Sequence, residues 1–267
     1  MSDIHDTDDV DRHLKPSKRH SDILRILRDE GTVTISSLAA RLEVSLETIR
    51  RDVQPLALQG LLVKMHGAIS LPDRLGEEPF DRRMREMAEE KRAIAQRMAR
   101  LISDGDSLMM DTGTTTSFIA RALLDKRDLT VVTNSADIAR TLSTVNGNTV
   151  FMAGGQLRGD NGAAFGPSAT DFIRNFKVRH AIITIGGIDP DTGMTDYDLA
   201  EAEFAREVLR RGSNRIIVTD HTKFMRSALV KVCDLADIDL LVTDKAPPQE
   251  LLDAFEAANV TVILPET

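Results

Sequence analysis

Apolar residues recur along this chain in two rhythms, and the change between them divides it. Up to Ile102 the spacing is helical. Ile23, Ile26 and Leu27 mark one helix that stops at Glu30-Gly31, a glycine being a common helix terminator. Leu38 and Leu42 stand four apart and share one face of a short second helix. Glu43-Val44-Ser45 interrupts the pattern, then Ile49, Val53 and Leu56 resume it. Ser45 is placed to cap that third helix by accepting a backbone N–H. Pro55 lies inside it and removes a backbone donor, which predicts a kink or an end to its regular part. After Gly60, Leu61-Leu62-Val63 predicts a short strand, and Lys64-Met65-His66-Gly67-Ala68 a wing turning back. Further on, Phe80, Met84, Met87, Ile94, Met98, Leu101 and Ile102 predict one long connecting helix, ended by Ser103-Asp104-Gly105-Asp106.

Beyond that point short apolar runs replace the helical spacing. They fall at Leu108–Met110, Leu129–Val132, Val150–Met152, Ile182–Ile185, Ile216–Val218, Leu240–Val242 and Val260–Leu264. Helical stretches separate several of them, at Phe118–Leu124, Ala136–Leu142, Ala169–Phe176, Ala200–Arg210 and Gln249–Ala258. Alternating strand and helix predicts an α/β domain with a mainly parallel sheet covered on both faces. The expected organisation is a disordered acidic tail over 1–14 and a winged helix-turn-helix over 15–70. A linker and the start of the connecting helix would cover 71–90, and the α/β domain 91–267.

Charge and composition sharpen this division. Between Lys15 and His66 nine Lys/Arg face six Asp/Glu, a net of +3, whereas the whole chain stands at −8. A small basic module therefore rides on an acidic body. Its charge is modest, so tight operator binding would need two or more copies. A 42% hydrophobic content supports a full core, built on aliphatic residues because there is no Trp and one Tyr. The single cysteine, Cys233, excludes an internal disulfide and a Cys-based metal site. The Asp-rich start has no apolar core and is expected to be a solvated tail, not a signal peptide. No apolar run approaches the roughly 18 residues of a membrane span, which predicts a cytoplasmic protein without a membrane partner.

The candidate chemistry lies in two places. On the third helix Glu47, Thr48, Arg50, Arg51 and Gln54 occupy the side opposite the apolar stripe. An Arg-bearing polar face early on the second helix of the motif suits a reader of the DNA major groove. Ser37, Ser45, Lys64 and His66 flank it as further DNA-contact candidates; a helical hairpin with a solvated basic face is the competing reading. In the α/β domain Asp111-Thr112-Gly113-Thr114-Thr115-Thr116-Ser117 follows the first run and leads into a helix. Hydroxyls, a glycine turn and a helix N-terminus make an anion cradle, or else only a threonine-rich cap. Ligands of parallel sheets bind at the carboxyl ends of strands, so Asn134, Gly154, Gly155, Asp189 and Lys223 join Asp111, Thr112, Gly113, Thr114 and Thr115 as effector-site candidates. Asp220 is an alternative to Asp189 as an acceptor for sugar hydroxyls. No Gly-x-x-x-x-Gly-Lys pattern or dinucleotide fingerprint is present. No cofactor, metal site or catalytic residue is expected.

These stretches together resemble the DeoR family of bacterial repressors, from Lys18 to Glu266. The most specific is Thr48-Ile49-Arg50-Arg51-Asp52, followed by Glu90-Lys91, Asp111-Thr112-Gly113-Thr114-Thr115, Val132-Thr133-Asn134-Ser135, Gly154-Gly155 and Asp220-His221-Thr222-Lys223-Phe224. The resemblance implies a sensor domain similar in fold to ribose-5-phosphate isomerase. It also implies an effector phosphate held by Thr112, Thr114, Thr115 and Lys223, with glycerol 3-phosphate as the first candidate. The implied protein is a homo-oligomer, dimer or tetramer, on double-stranded operator DNA, regulating a sugar or polyol catabolic operon. The alternative is an isomerase-like enzyme, with Glu201 or Glu203 near the base position after Met194-Thr195-Asp196-Tyr197-Asp198. Its lysine partner is missing at Gly193-Met194-Thr195, which leaves proton abstraction without electrostatic support.

Overall fold

The computed structural model describes residues 18–265 apart from 31, 59, 60, 66, 67 and 71–79. The expected tail, most of the linker and the wing residue His66 lie outside the described residues. Two compact units form, the first ending at Arg74 and the second starting at Leu75.

In the first unit α1 (Lys18–Glu30) leads to β1 (Thr32–Thr34), α2 (Ile35–Arg41), α3 (Leu46–Leu58), β2 (Val63–Met65) and β3 (Ala68–Ser70). Thr34 caps α2 by accepting Ser37 N–H at 3.1 Å, and Ser45 caps α3 by accepting Thr48 N–H at 3.1 Å. The predicted wing is an antiparallel pair, Val63 opposite Ser70 and Met65 opposite Ala68. β1, which the apolar pattern does not reveal, adds to its other edge. Ile23, Leu27, Leu38, Ile49, Val53, Leu56 and Ile69 close one core among these elements. Of the two outcomes expected at Pro55, an end to the helix does not occur: α3 runs through Pro55 to Leu58. Three further residues stay helical, and Leu56 O accepts Leu61 N–H at 2.9 Å beyond the helix end.

The second unit is built on a seven-stranded parallel sheet. Its strands are β4 (Ser107–Met110), β5 (Thr130–Thr133), β6 (Thr149–Met152), β7 (Val178–Ile183), β10 (Gly212–Val218), β12 (Leu240–Val242) and β13 (Thr261–Ile263), in the order β13-β12-β10-β7-β4-β5-β6. Successive residues serve opposite faces. Met109, Ala181, Ile183, Ile217 and Leu241 join one apolar cluster, while Leu108, Met110, Ile182, Ile216 and Val242 join the other. Burial on both sides is why these strands are continuous apolar runs. Helices α8 (Pro167–Ile173), α9 (Leu199–Arg211) and α10 (Gln249–Ala257) bring Ile173, Phe204 and Phe255 to the first cluster. Helices α5 (Ala88–Leu101), α6 (Thr114–Ala122) and α7 (Ala136–Leu142) bring Met98, Ile119 and Ile138 to the second.

Two features depart from expectation. The single connecting helix is a short α4 (Phe80–Arg83), a turn, and then α5. Lys91 causes the break to hold: its buried Nζ donates to Arg83 O at 2.5 Å and Glu86 O at 2.9 Å. Met87, at the junction, takes a left-handed backbone with φ 51°. The second departure is an antiparallel sheet, β8 (Gly187–Asp189), β9 (Gly193–Asp196) and β11 (Val230–Cys233), ordered β11-β9-β8. The glycine and aspartate residues of β8 and β9 hide that hairpin from hydrophobic patterning.

Candidate functional site

The chain leaves β4 toward β5 and β6, then returns to place β7 on the opposite side of β4. That reversal opens a crevice at the carboxyl ends of β4 and β7, where parallel sheets bind ligands. A cavity of about 220 Å³ lies there, bordered by Thr112, Thr114, Thr115, Thr184, Asp220 and Lys223 among others. It is smaller than the about 300–1,000 Å³ typical of drug-sized ligands, which suits a small metabolite.

Each wall of the cavity is fixed by a local device. Asp111 accepts Thr184 N–H at 3.0 Å through Oδ2, tying the end of β4 to the end of β7. Gly113 is needed for closeness: a Cβ there would lie 2.4 Å from Thr184 Oγ1. Thr116 Oγ1 donates to Asp111 O and Gly113 O at 3.0 and 3.1 Å, which holds the loop against the start of α6. Thr112, Thr114 and Thr115 are buried at the cavity wall, and Thr112 Oγ1 has no hydrogen-bond partner among the described residues. An unpaired buried hydroxyl of this kind costs about 1–3 kcal/mol until something pairs with it.

The far wall is held by Asp244. It accepts His221 N–H at 2.7 Å and contacts His221 Nδ1 at 2.6 Å. Lys245 Nζ, which can only donate, lies 3.2 Å from His221 Nε2. Nε2 is therefore the acceptor, and Nδ1 carries the proton given to Asp244. This pins the 3₁₀ turn His221–Lys223 that presents Thr222 and Lys223 to the cavity. Glu201 also borders the cavity while binding Arg158 at 2.8 Å. Arg158 reaches Asp198 too, at 2.7 Å. Burial opposes ionisation of Asp198, yet Arg158 and the N–H groups of Ala200 and Glu201 keep it below the usual carboxylate range.

Of the sequence-level effector candidates, Thr112, Thr114, Thr115 and Lys223 border this cavity, and Asp111 and Gly113 shape it. Asn134, Gly154, Gly155 and Asp189 do not border it. Asn134 is fully buried and donates to Ala164 O at 2.9 Å. Gly154 and Gly155 follow β6, the outermost strand, two strands from the reversal. Asp189 serves the β8–β9 hairpin, its Oδ1 accepting Asp191 N–H at 3.1 Å and Thr192 N–H at 3.0 Å. Those bonds, Thr192 foremost, hold its pKa below the ordinary value. The residues missed as cavity walls include Arg83, Glu86, Lys91, Thr184, Asp196, Tyr197 and Arg226.

In the first unit α3 buries Ile49, Asp52, Val53 and Leu56 and exposes Glu47, Arg50, Arg51 and Gln54, with Thr48 half-buried. Lys64 on β2 hydrogen-bonds Gln54, so wing and helix present one polar surface. Arg50 lies 3.8 Å from Glu47, a weak surface pair that leaves its guanidinium available. Ser37 is half-buried on α2, and Ser45 acts as the cap. Among the described residues no group of three or more His, Cys, Asp or Glu is placed to hold a metal ion. No helix among them is long and apolar enough to cross a membrane.

Residues 19–74 match the DeoR-like helix-turn-helix domain, and residues 86–245 the DeoR C-terminal sensor domain. The chain is 33% identical to the HTH-type transcriptional repressor CsqR of Escherichia coli K12, spanning 95% of this chain and 97% of that one. It is 34% identical to the glycerol-3-phosphate regulon repressor of the same organism, over 94% and 100% of the two chains. Transcriptional repressor AccR of Agrobacterium fabrum is 34% identical over 90% and 97%. Among solved structures, ribose 5-phosphate isomerase A of Neisseria gonorrhoeae superposes with a TM-score of 0.38 at 15% identity, over 52% and 54% of the chains. The full-length relatives are repressors, so the isomerase reading falls away, and the chain belongs to the DeoR family of DNA-binding transcriptional regulators.

Proposed function

We propose that the protein is a cytoplasmic repressor of a sugar or polyol catabolic operon, relieved or engaged by a phosphorylated metabolite. Ser37, Ser45, Glu47, Thr48, Arg50, Arg51, Gln54, Lys64 and His66 form its DNA-contact set. Thr112, Thr114, Thr115 and Lys223 receive the effector phosphate. The observation that carries the sensor half is the unpaired, buried Thr112 Oγ1 beside the N-terminus of α6, at the strand-order reversal. Backbone N–H groups at a helix start favour an anion, and hydroxyls complete its coordination. The protein acts as a dimer or tetramer, because helix-turn-helix modules reach two half-sites about 34 Å or a multiple apart. Effector binding changes DNA affinity through its differential affinity for two arrangements of the protein.

A thermal-shift screen of sugar and polyol phosphates, followed by operator binding with each hit, tests this reading. Glycerol 3-phosphate is the first compound to try, given the relative named for its regulon. A hit that raises the melting temperature and alters operator affinity is the expected outcome. Stabilisation by no phosphate ester would overturn the sensor assignment.

A further inference from the structure

One leucine at the leading end of α3 has no part in the core of the first unit. Ile49, Val53 and Leu56 of α3 are buried there, and Val44, just before the Ser45 cap, packs against the same cluster. Val44 and Ile49 hold the places before the cap and fourth in the helix, where an apolar pair fixes the chain's entry. Leu46, the first residue of α3, is 45% exposed and stands outside that cluster. Nor does it serve the cap: Ser45 Oγ accepts Thr48 N–H and lies 2.8 Å from Thr48 Oγ1. Unlike Glu47 beside it, a leucine brings no charge to complement the helix dipole. Among the first five residues of α3 the exposed side chains are Leu46, Glu47 and Arg50. Leu46 and Arg50 stand four apart, so they share one face.

We propose that Leu46 is a base-reading residue that recognises the C5 methyl of a thymine in the operator's major groove. The proposal rests on the reading of α3 as the groove-facing helix. Leucine has neither donor nor acceptor, so phosphates and polar base edges offer it nothing. The thymine methyl is the apolar group that base edges present in the major groove, and no other base carries it. Arg50, on the same face, is suited to guanine O6 and N7. Four residues of helix advance about 6 Å, and successive base pairs are about 3.4 Å apart. The thymine therefore lies within about two base steps of the base pair that Arg50 reads.

Duplexes selected from a random library by the full-length protein supply the operator. Each thymine is then replaced singly by deoxyuridine, which removes the C5 methyl and keeps every hydrogen-bonding group. At one thymine or more the replacement should weaken wild-type binding about fourfold, the effect of one buried methyl-sized group. That thymine should lie within about two base steps of a guanine at which Arg50→Ala loses discrimination. Leu46→Ala should bind the thymine and deoxyuridine duplexes alike, whereas Leu46→Met, which stays apolar, should keep the preference. Wild-type indifference to every replacement overturns the proposal. So does an undiminished thymine preference in Leu46→Ala once its melting curve shows it folded. If Leu46→Ala and the double alanine variant of Arg50 and Arg51 both bind as wild type does, the reading of α3 fails and the proposal with it. Lost binding in the double variant, with the thymine preference persisting in Leu46→Ala, removes only the role of Leu46.

Discussion

Arg19 on α1 grips Asp52 on α3 through one edge of its guanidinium, Nη2 lying 3.1 Å from Oδ1 while Nε bonds Oδ2. Asp52 is buried on the inner side of α3, and His20 Nε2 stands 3.8 Å from it. The bidentate pair sets the rotation of α3 against α1, since a planar fork fixes orientation as well as distance. The Asp52 hydrogen bond and charge hold Arg19 above its already high pKa. Asp52→Asn keeps the shape and removes the charge. Operator affinity should fall by about three- to tenfold, within the about 1.4 kcal/mol that a tenfold change represents. Unaltered affinity in a gel-shift titration would show that α3 needs no such tie.

Arg50 and Arg51 should carry much of the DNA affinity, being exposed early on α3. A base-contacting arginine contributes about 1–3 kcal/mol and its loss relaxes specificity, while a phosphate contact weakens all sequences alike. The double alanine variant should lose operator shifts and keep effector binding, because the second unit has its own core. Retained operator binding would remove α3 from this role.

How much of this was legible depended on whether the signal was local. The runs Leu108–Met110 and Ile216–Val218 predicted strands buried on both faces, and they are β4 and the end of β10. The hydroxyl row before α6 was equally visible. Asn134, Gly154, Gly155 and Asp189 joined the candidate site because each follows an apolar run or lies near one. Which strand ends adjoin is set by strand order, which no local spacing encodes, and β5 and β6 fall on the outer side of β4. The break after Arg83 was hidden for a related reason. Apolar spacing continues across it, and what stabilises it is the tertiary contact from Lys91. The hairpin of β8 and β9 has too few apolar residues to announce itself, although Asp189-Pro190-Asp191-Thr192-Gly193 marks its turn.

Lys91 should matter to both stability and sensing. Its Nζ satisfies two carbonyls at the α4–α5 break and borders the cavity. Lys91→Met keeps most of the buried volume but leaves those carbonyls unpaired, at about 1–3 kcal/mol. The melting temperature of the second unit should drop, and affinity for a phosphorylated effector should fall at least tenfold. A variant with wild-type melting and binding would deny Lys91 either part.

His180 predicts a pH dependence. It is buried at the start of β7, with Nε2 3.4 Å from Asp106 Oδ2 and Nδ1 3.3 Å from Asn214. Burial pushes its pKa below the ordinary 6.5, Asp106 only partly restoring it and Arg179 lowering it further. A histidine with a depressed folded pKa contributes fully above the unfolded value and loses that contribution as pH falls toward the folded one. For Asp106, burial opposes ionisation, but Ser103 N–H, His180 and Arg179 keep its pKa below 3.8, so its share is lost only at lower pH. Thermal stability of the second unit should decline on acidification below 6.5. His180→Gln should flatten that first decline and leave the later one near the carboxylate range. Parallel profiles for the two proteins would assign the pH dependence to other groups.

Lys223 supplies the last test, because it separates sensing from DNA binding within one side chain. It sits in the turn pinned by the His221–Asp244 contacts and borders the cavity opposite the start of α6. A cation there is matched to a phosphate, whereas a free polyol brings it no opposite charge. Lys223→Ala should therefore weaken binding of glycerol 3-phosphate, or of whichever ester the screen selects, by at least tenfold, about 1.4 kcal/mol. Binding of the corresponding free polyol should be weak in wild type and variant alike. Operator affinity without effector should stay at the wild-type value, since α3 and its Arg50-Arg51 face belong to the other unit. Loss of operator binding with normal effector binding would place Lys223 in the DNA-binding role instead. Equal affinity of wild type for the ester and the free polyol would show that the row of threonines before α6 is only a helix cap.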